Sequence, residues 1–365
     1  MMESTVFKHF NYLHTIPEVG MQEFKTSAYL AAVLDRAGYQ VQTHIGGATG
    51  VVGVLDSGVP GPVLGLRADM DALGTPEHAA HLCGHDSHMS MLLAAAEEII
   101  DEGLVKKGKL KILFQPAEET SGGAISMIDG GAVDDVDYLI GMHIRPIQEC
   151  RLGQAAPAMY YSSAGHVVIE VTGRQSHGAR PYLGVSALDA GCLIVQAANA
   201  LRFDSSIVHN LKATRFLCDA GVMNAVPGKA TLVFDLRSQD NDLMDSMLEQ
   251  LRRAAENAAA TVGASIEWKI NNITPASIIS PEVTDIISDV IREEMGEEAL
   301  VPPITTAGGE DFFWYPRKRP SIKTGFIGLG ADAEPGLHAP DMHFNHDCLP
   351  NGVKLHKGAV RKILG

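Results

Sequence analysis

The sequence predicts an α/β protein in which a discontinuous domain, residues 1–158 and 275–365, carries a smaller α+β domain inserted at residues 160–272. Three observations predict it. The 365 residues exceed what one hydrophobic core usually organises. Short Leu-rich or β-branched runs alternate with helical patterns in the first and last parts. The middle block reads strand, helix, two strands, helix, strand, the order of a ferredoxin-like sandwich.

In chain order, residues 22–38 (QEFKTSAYLAAVLDRAG) place Phe24, Tyr29, Leu30, Val33 and Leu34 at helical spacing and stop at Gly38. The runs YQVQTHI, GVVGVLD, PVLGLRAD, KLKILFQ and YLIGMHI are strands of a sheet with helical cover. Between the third and fourth, a helix begins near Ser87 and ends before Gly103. In the inserted block HVVIEVTG alternates like a half-buried strand, ALDAGCLIVQAANAL is a helix, and LKATRFLCDAG and KATLVFDLRS are strands. The long helix MDSMLEQLRRAAENAAATVG and the strand ASIEWKINN complete it. SPEVTDIISDVIREEMG then reads as a helix, SIKTGFIGLG as a strand and HKGAVRKIL as a closing helix.

Composition narrows the function. Apolar residues make up 45% of the chain and charged ones 20%, an ordinary globular balance. A net charge of −15, with no basic run longer than Arg317-Lys318-Arg319, disfavours nucleic acid as a partner. No window has the ~18 to 20 apolar residues of a membrane span, and the N-terminus has no basic start followed by an apolar stretch. Five scattered cysteines argue against a disulfide framework. The expectation is a soluble cytoplasmic protein.

Five polar clusters stand at the carboxyl ends of the expected strands: Arg67-Ala68-Asp69-Met70-Asp71, Cys83-Gly84-His85-Asp86, Glu118-Glu119, His143 and His338. Open α/β sheets bind ligands there. Thiolate, imidazole and carboxylate are the ligand set for zinc and similar ions, and five groups exceed what one catalytic ion needs. Two ions would use Cys83, His85, His143 and His338 with one carboxylate of the Glu118-Glu119 pair, bridged by the Cys83 thiolate or by a carboxylate. Glu118 and Glu119 point opposite ways on an extended segment, so one binds metal and the other serves as general base. Asp71 is expected to orient a metal-bound histidine. Each cluster alone has a plainer reading, as a helix cap, a solvated turn, a buried imidazole or a loop; their common address outweighs those.

Read together, these residues resemble the M20 metallopeptidases, within them the aminoacylase and amidohydrolase branch that includes N-acyl-amino-acid hydrolases and hydrolases of indole-acetyl amino-acid conjugates. The matches run in order through LHTIPEVGMQEFKT, GLRADMDAL, CGHDSHMSMLLAAA, KLKILFQPAEE, IGMH, VTGRQSHGARP, NAVPG, AGGEDF and LHAPDMHFN, nearly the whole chain. The resemblance implies a mixed-sheet, zinc-peptidase-like catalytic domain with helices on both faces, and an inserted lid domain that also forms a homodimer or higher homo-oligomer. It implies metal ligands at Cys83, His85, Glu119, His143 and His338 for two divalent ions; thiolate, imidazole and carboxylate suit zinc or manganese first, with cobalt and nickel as further options. Glu118 matches the general base, and His177 on the lid loop matches the histidine that steadies the oxyanion. Asn224 and the turn containing Gly309 and Glu310 resemble substrate-carboxylate or pocket contacts.

The activity so implied is hydrolysis of the amide bond of N-acyl amino acids or related small amides. The same metal site also suits a dipeptidase or a hydrolytic deaminase of an aromatic amine, and the fold alone suits a non-catalytic binding protein. Two departures bear on the substrate pocket. Residues 72–82 are shorter than the loop relatives place there, and Val185-Ser186-Ala187-Leu188 stands where relatives usually have DPI after the lid histidine.

Overall fold

The computed structural model describes residues 4–74 and 78–365, so Thr75, Pro76 and Glu77 of the short 72–82 segment lie outside the described residues. Two compact units separate along the chain. The first comprises the chain up to Tyr160, Ile278–Thr306 and Asp311–Gly365; the second comprises Tyr161–Ser277 and Ala307–Glu310.

The strands that build the sheets are β1 (Gln40–Ile45), β2 (Gly50–Asp56), β3 (Val63–Asp69), β4 (Lys109–Gln115), β5 (Tyr138–Pro146), β6 (Ala155–Ala156), β7 (Ser163–Thr172), β8 (His209–Leu217), β9 (Lys229–Ser238), β10 (Ser265–Thr274) and β11 (Lys323–Ala333). The longer helices are α1 (Thr5–Leu13), α2 (Phe24–Ala37), α3 (His85–Asp101), α4 (Ala187–Ala200), α5 (Asn241–Thr261), α6 (Pro281–Met295) and α7 (Leu349–Leu364).

In the first unit seven strands run in the order β1-β2-β4-β3-β5-β11-β6. The neighbours β4, β3, β5 and β11 are mutually parallel, and the flanking strands pair antiparallel, so the sheet is mixed. Parallel strands covered on both faces must be apolar throughout, and β3 is buried at every position. Leu64, Leu66 and Ala68 join one core with α1, α2, α3, α6 and α7. Arg67 points the other way, toward Phe312, on the side where the short helices Gly123–Asp129 and Trp314–Lys318 pack. Gly38 ends α2 in the left-handed region, with φ of 105°, at the stop that the sequence predicts.

The helices depart from the sequence-based expectation in places. The last helix begins at Leu349, seven residues before HKGAVRKIL, because Pro350 sits in its first turn, where a missing amide costs nothing. Helix α1, which the sequence reading did not pick out, buries Val6, His9, Phe10 and Leu13 along one face.

In the second unit the order β8-β9-β7-β10 is antiparallel throughout. Strand β7 alternates: Val167, Ile169 and Val171 pack beneath α4 and α5 with Leu232, Phe234 and Leu236 of β9. Ser186 caps α4 by accepting from the Asp189 amide, and Asp240 caps α5 by accepting from the Leu243 amide. Among the described residues no helix is long and apolar enough to cross a membrane.

One histidine of the first unit makes the fold acid-sensitive. His356, in α7, is buried, and burial lowers its pKa from 6.5 to about 3. Between those values the unfolded chain binds a proton that the folded chain does not, so stability falls as pH drops from 6.5 toward 3. The expected contribution is on the order of 3 kcal/mol between pH 7 and pH 4. His356→Leu should flatten the pH dependence of the denaturation midpoint over that window; an unchanged slope would refute the assignment.

Candidate metal centre

The parallel register brings four strand ends to one edge of the sheet. Asp69 lies opposite Gln115, Arg67 opposite Gly141, and His143 opposite Gly328. Asp71 and the Cys83-Gly84-His85 turn follow β3, Glu118 and Glu119 follow β4, His143 lies near the end of β5, and His338 follows β11. The turn requires glycine. Gly84 has φ of 82°, and a Cβ there would stand 2.3 Å from the Ile144 side chain. Ala117 and His338 also take left-handed backbone, with φ of 51° and 67°, at corners where the chain turns toward the cluster. The His338 amide is tied down by donating to the Leu82 carbonyl at 2.7 Å.

Donor atoms converge in overlapping groups, each within 4.8 Å: Cys83, His85 and His143; Cys83, Glu119 and His338; and His85, Glu118 and Glu119. Cys83 belongs to the first two. Its Sγ lies 3.4 Å from His143 Nε2 and 3.2 Å from His338 Nε2. Glu119 Oε1 lies 3.3 Å from His338 Nε2 and 3.8 Å from His85 Nε2. His85 Nε2 and Glu119 Oε1 are both buried with no hydrogen-bond partner. Buried polar atoms are ordinarily paired, so two orphans facing each other fit a site made for a cation.

The imidazoles are oriented from behind. His85 Nδ1 donates to the Asp71 carbonyl at 2.9 Å and His143 Nδ1 to the Ile144 carbonyl at 2.6 Å, which leaves each Nε2 lone pair facing the cluster. The Asp71 carboxylate accepts from the amides of both Glu118 and Glu119, at 3.0 and 3.1 Å. Asp71 therefore holds His85 through its main chain and the acidic pair through its side chain. Glu23, also buried, accepts from the Ala117 amide at 2.9 Å and closes the same loop.

The electrostatics favour positive charge. His338 is pushed up to about 10, first by its hydrogen bond to Cys83 and then by the Glu119 carboxylate beside it. Burial alone would lower the His85 pKa, but Asp69, Cys83 and Asp71 outweigh it and hold the group well above its ordinary value. His143 is held well below, by burial first and then by His88 and Arg145, so it stays neutral. Burial would raise Asp69, yet His85, His88 and Arg67 keep it ionised. His88 is buried behind the cluster; its Nε2 accepts from the Ile144 amide and its Nδ1 donates to Asp69 at 2.6 Å.

The other residues singled out in the sequence lie in the second unit. His177 pairs with Ala225 in a two-residue bridge, and the neighbouring Gly178 amide donates to the Asn224 carbonyl at 2.6 Å, so His177 and Asn224 come together. Both side chains are exposed. Gly309 packs so close to Thr274 that a Cβ would stand 2.5 Å from its hydroxyl, and Glu310 beside it is buried. Nearby in the same unit, Arg237 donates to the Asp235 carboxylate and to the Ala307 carbonyl.

Comparison with known proteins follows the same outline. The family model for peptidase family M20/M25/M40 matches residues 65–362. The chain is 32% identical to hippurate hydrolase of Campylobacter jejuni over 96% of this chain and 94% of that one. It is 29% identical to N-acetyldiaminopimelate deacetylase of Streptococcus suis over 93% and 94%. A dinuclear metal-binding peptidase of the M20 family from Bacillus subtilis superimposes with a TM-score of 0.80 at 23% identity, covering 98% of this chain and 97% of that one.

Proposed function

The chain belongs to peptidase family M20/M25/M40, and from that premise we propose that it hydrolyses the amide bond of N-acyl amino acids or related small amides, with two divalent ions held by Cys83, His85, Glu119, His143 and His338. The observation that carries the reading is the overlap of two ligand groups at Cys83. Cys83, His85 and His143 would hold one ion, Cys83, Glu119 and His338 the other, with Cys83 common to both. Zinc or manganese suits this mixed sulfur, nitrogen and oxygen set best. When bound, such ions polarise a carbonyl and bring the pKa of water toward neutrality.

The chain's own residues do the rest. Glu118 stands beside His85 and Glu119, part-buried, and is the carboxylate that takes the proton from water and returns it to the departing amine. Asp71 fixes the backbone that carries Glu118 and Glu119 and orients His85. His177 is assigned to steady the oxyanion, and Asn224, Gly309 and Glu310 to contact the substrate's carboxylate or line its pocket. The unit that carries these four residues would be the lid, and the surface for a homodimer or higher homo-oligomer in the cytoplasm.

The preference for N-acyl amino acids draws on the relatives, one described as a hippurate hydrolase and another as an N-acetyldiaminopimelate deacetylase. A panel of N-acetyl and N-benzoyl amino acids, dipeptides and aromatic amines, each with zinc or manganese added back after chelation, tests it. Amine release from the acyl amino acids is expected. Release from dipeptides or aromatic amines alone would replace this substrate class.

A further inference from the structure

A buried polar network outside the proposed ligand set reaches Glu118 through the Asp311 amide. Arg67, Gln115 and Asp311 have no exposed surface. Arg67 donates through Nη1 to Asp69 at 2.7 Å, through Nη2 to Asp311 Oδ1 at 3.1 Å, and through Nε to Gln115 Oε1 at 2.9 Å. Gln115 Nε2 donates to Asp311 Oδ1 at 2.7 Å, the Ala124 amide donates to Asp311 Oδ2 at 3.0 Å, and the Tyr315 hydroxyl donates to Gln115 Oε1 at 3.1 Å. The Asp311 carboxylate is thus gripped from β3, from β4 and from the helix Gly123–Asp129. Its own amide donates to Glu118 Oε1 at 3.4 Å.

Burying a guanidinium between two carboxylates is costly, and such groups seldom stabilise a fold more than apolar packing would. The planar guanidinium does fix geometry, because its fork reaches three acceptors in one plane. We propose that Arg67 and Asp311 are positioning residues for the reaction: the network fixes the Asp311 amide, and that amide aims the Glu118 carboxylate. The inference rests on Glu118 being the general base.

The test is a double-mutant cycle on the metal-loaded enzyme. Asp311→Asn and Arg67→Lys are made alone and in a Glu118→Asp background, with kcat, KM, bound metal and thermal midpoint measured for each. Each single variant should lose about 10- to 100-fold in kcat, with KM changed less than about 3-fold and bound metal unchanged, as expected when a reacting group is misplaced. In the Glu118→Asp background, where the shortened side chain no longer meets the amide, the same substitutions should cost less than about 3-fold. Additive losses, or activity falling in step with bound metal, would overturn the positioning role. If neither variant folds, Tyr315→Phe, which removes only the hydroxyl on Gln115, should lose a few-fold in kcat, and that loss should vanish in the Glu118→Asp background; additivity there overturns the proposal equally. A wild-type kcat in Glu118→Asp alone would instead overturn the assignment of the base.

Discussion

Glu118→Gln is expected to bind both ions and to lose about 10³-fold in kcat, within the range usual for removal of a general base. The amide has the size of the carboxylate and keeps an acceptor for the Asp311 amide, so the loop should stay in place. It cannot take a proton from water. The sequence leaves open which of Glu118 and Glu119 binds metal, and both lie within 4.8 Å of His85. Glu119 is the proposed ligand because it also groups with Cys83 and His338, and its buried Oε1 has no hydrogen-bond partner. Glu119→Gln should therefore lose an ion that Glu118→Gln keeps. A fully metallated Glu118→Gln that turns over near the wild-type rate would dismiss Glu118 as the base.

Cys83→Ala should weaken both ions together, whereas His143→Ala should weaken chiefly one. Cys83 belongs to both ligand groups, and His143 belongs to one. The Cys83 side chain is buried, and its Sγ meets imidazoles from two different strand ends. Replacing it by alanine removes a soft anionic ligand that no neighbour can supply. Activity should fall with metal content. A Cys83→Ala protein that still binds two ions per chain would remove Cys83 from the shared position.

Much of this arrangement is legible in the sequence for a simple reason. Strands β3, β4, β5 and β11 are parallel and buried, so they read as short apolar runs, and the polar residues that interrupt those runs mark the sheet edge. Cys83, His85, Glu119, His143 and His338 stand at such interruptions. The second unit is legible because β7 alternates between buried and half-buried positions from Gly165 to Val171. Contacts between residues distant in sequence leave no such trace. Nothing in the spacing pairs Arg67 with Asp311, or Glu23 with Thr49 and the Ala117 amide, because each is settled only when the sheet has brought separate segments together. Asp311, in the GGEDF run, is fully buried, and its carboxylate accepts from Arg67, Gln115 and the Ala124 amide, partners that its neighbours in sequence do not announce. Helix α3 starts two residues before the expected Ser87 because Gly84 turns left-handed just ahead of it, a backbone choice that the spacing of apolar residues does not encode.

Direct metal analysis bears on the central claim most immediately. The protein is stripped with a chelator and titrated with zinc or manganese while bound metal and amine release from an N-acyl amino acid are followed together. Full activity should appear only as occupancy approaches two ions per chain, and Cys83→Ala should reach neither level over the same range. Activity that survives chelation, or that is complete with no bound ion, would contradict the account.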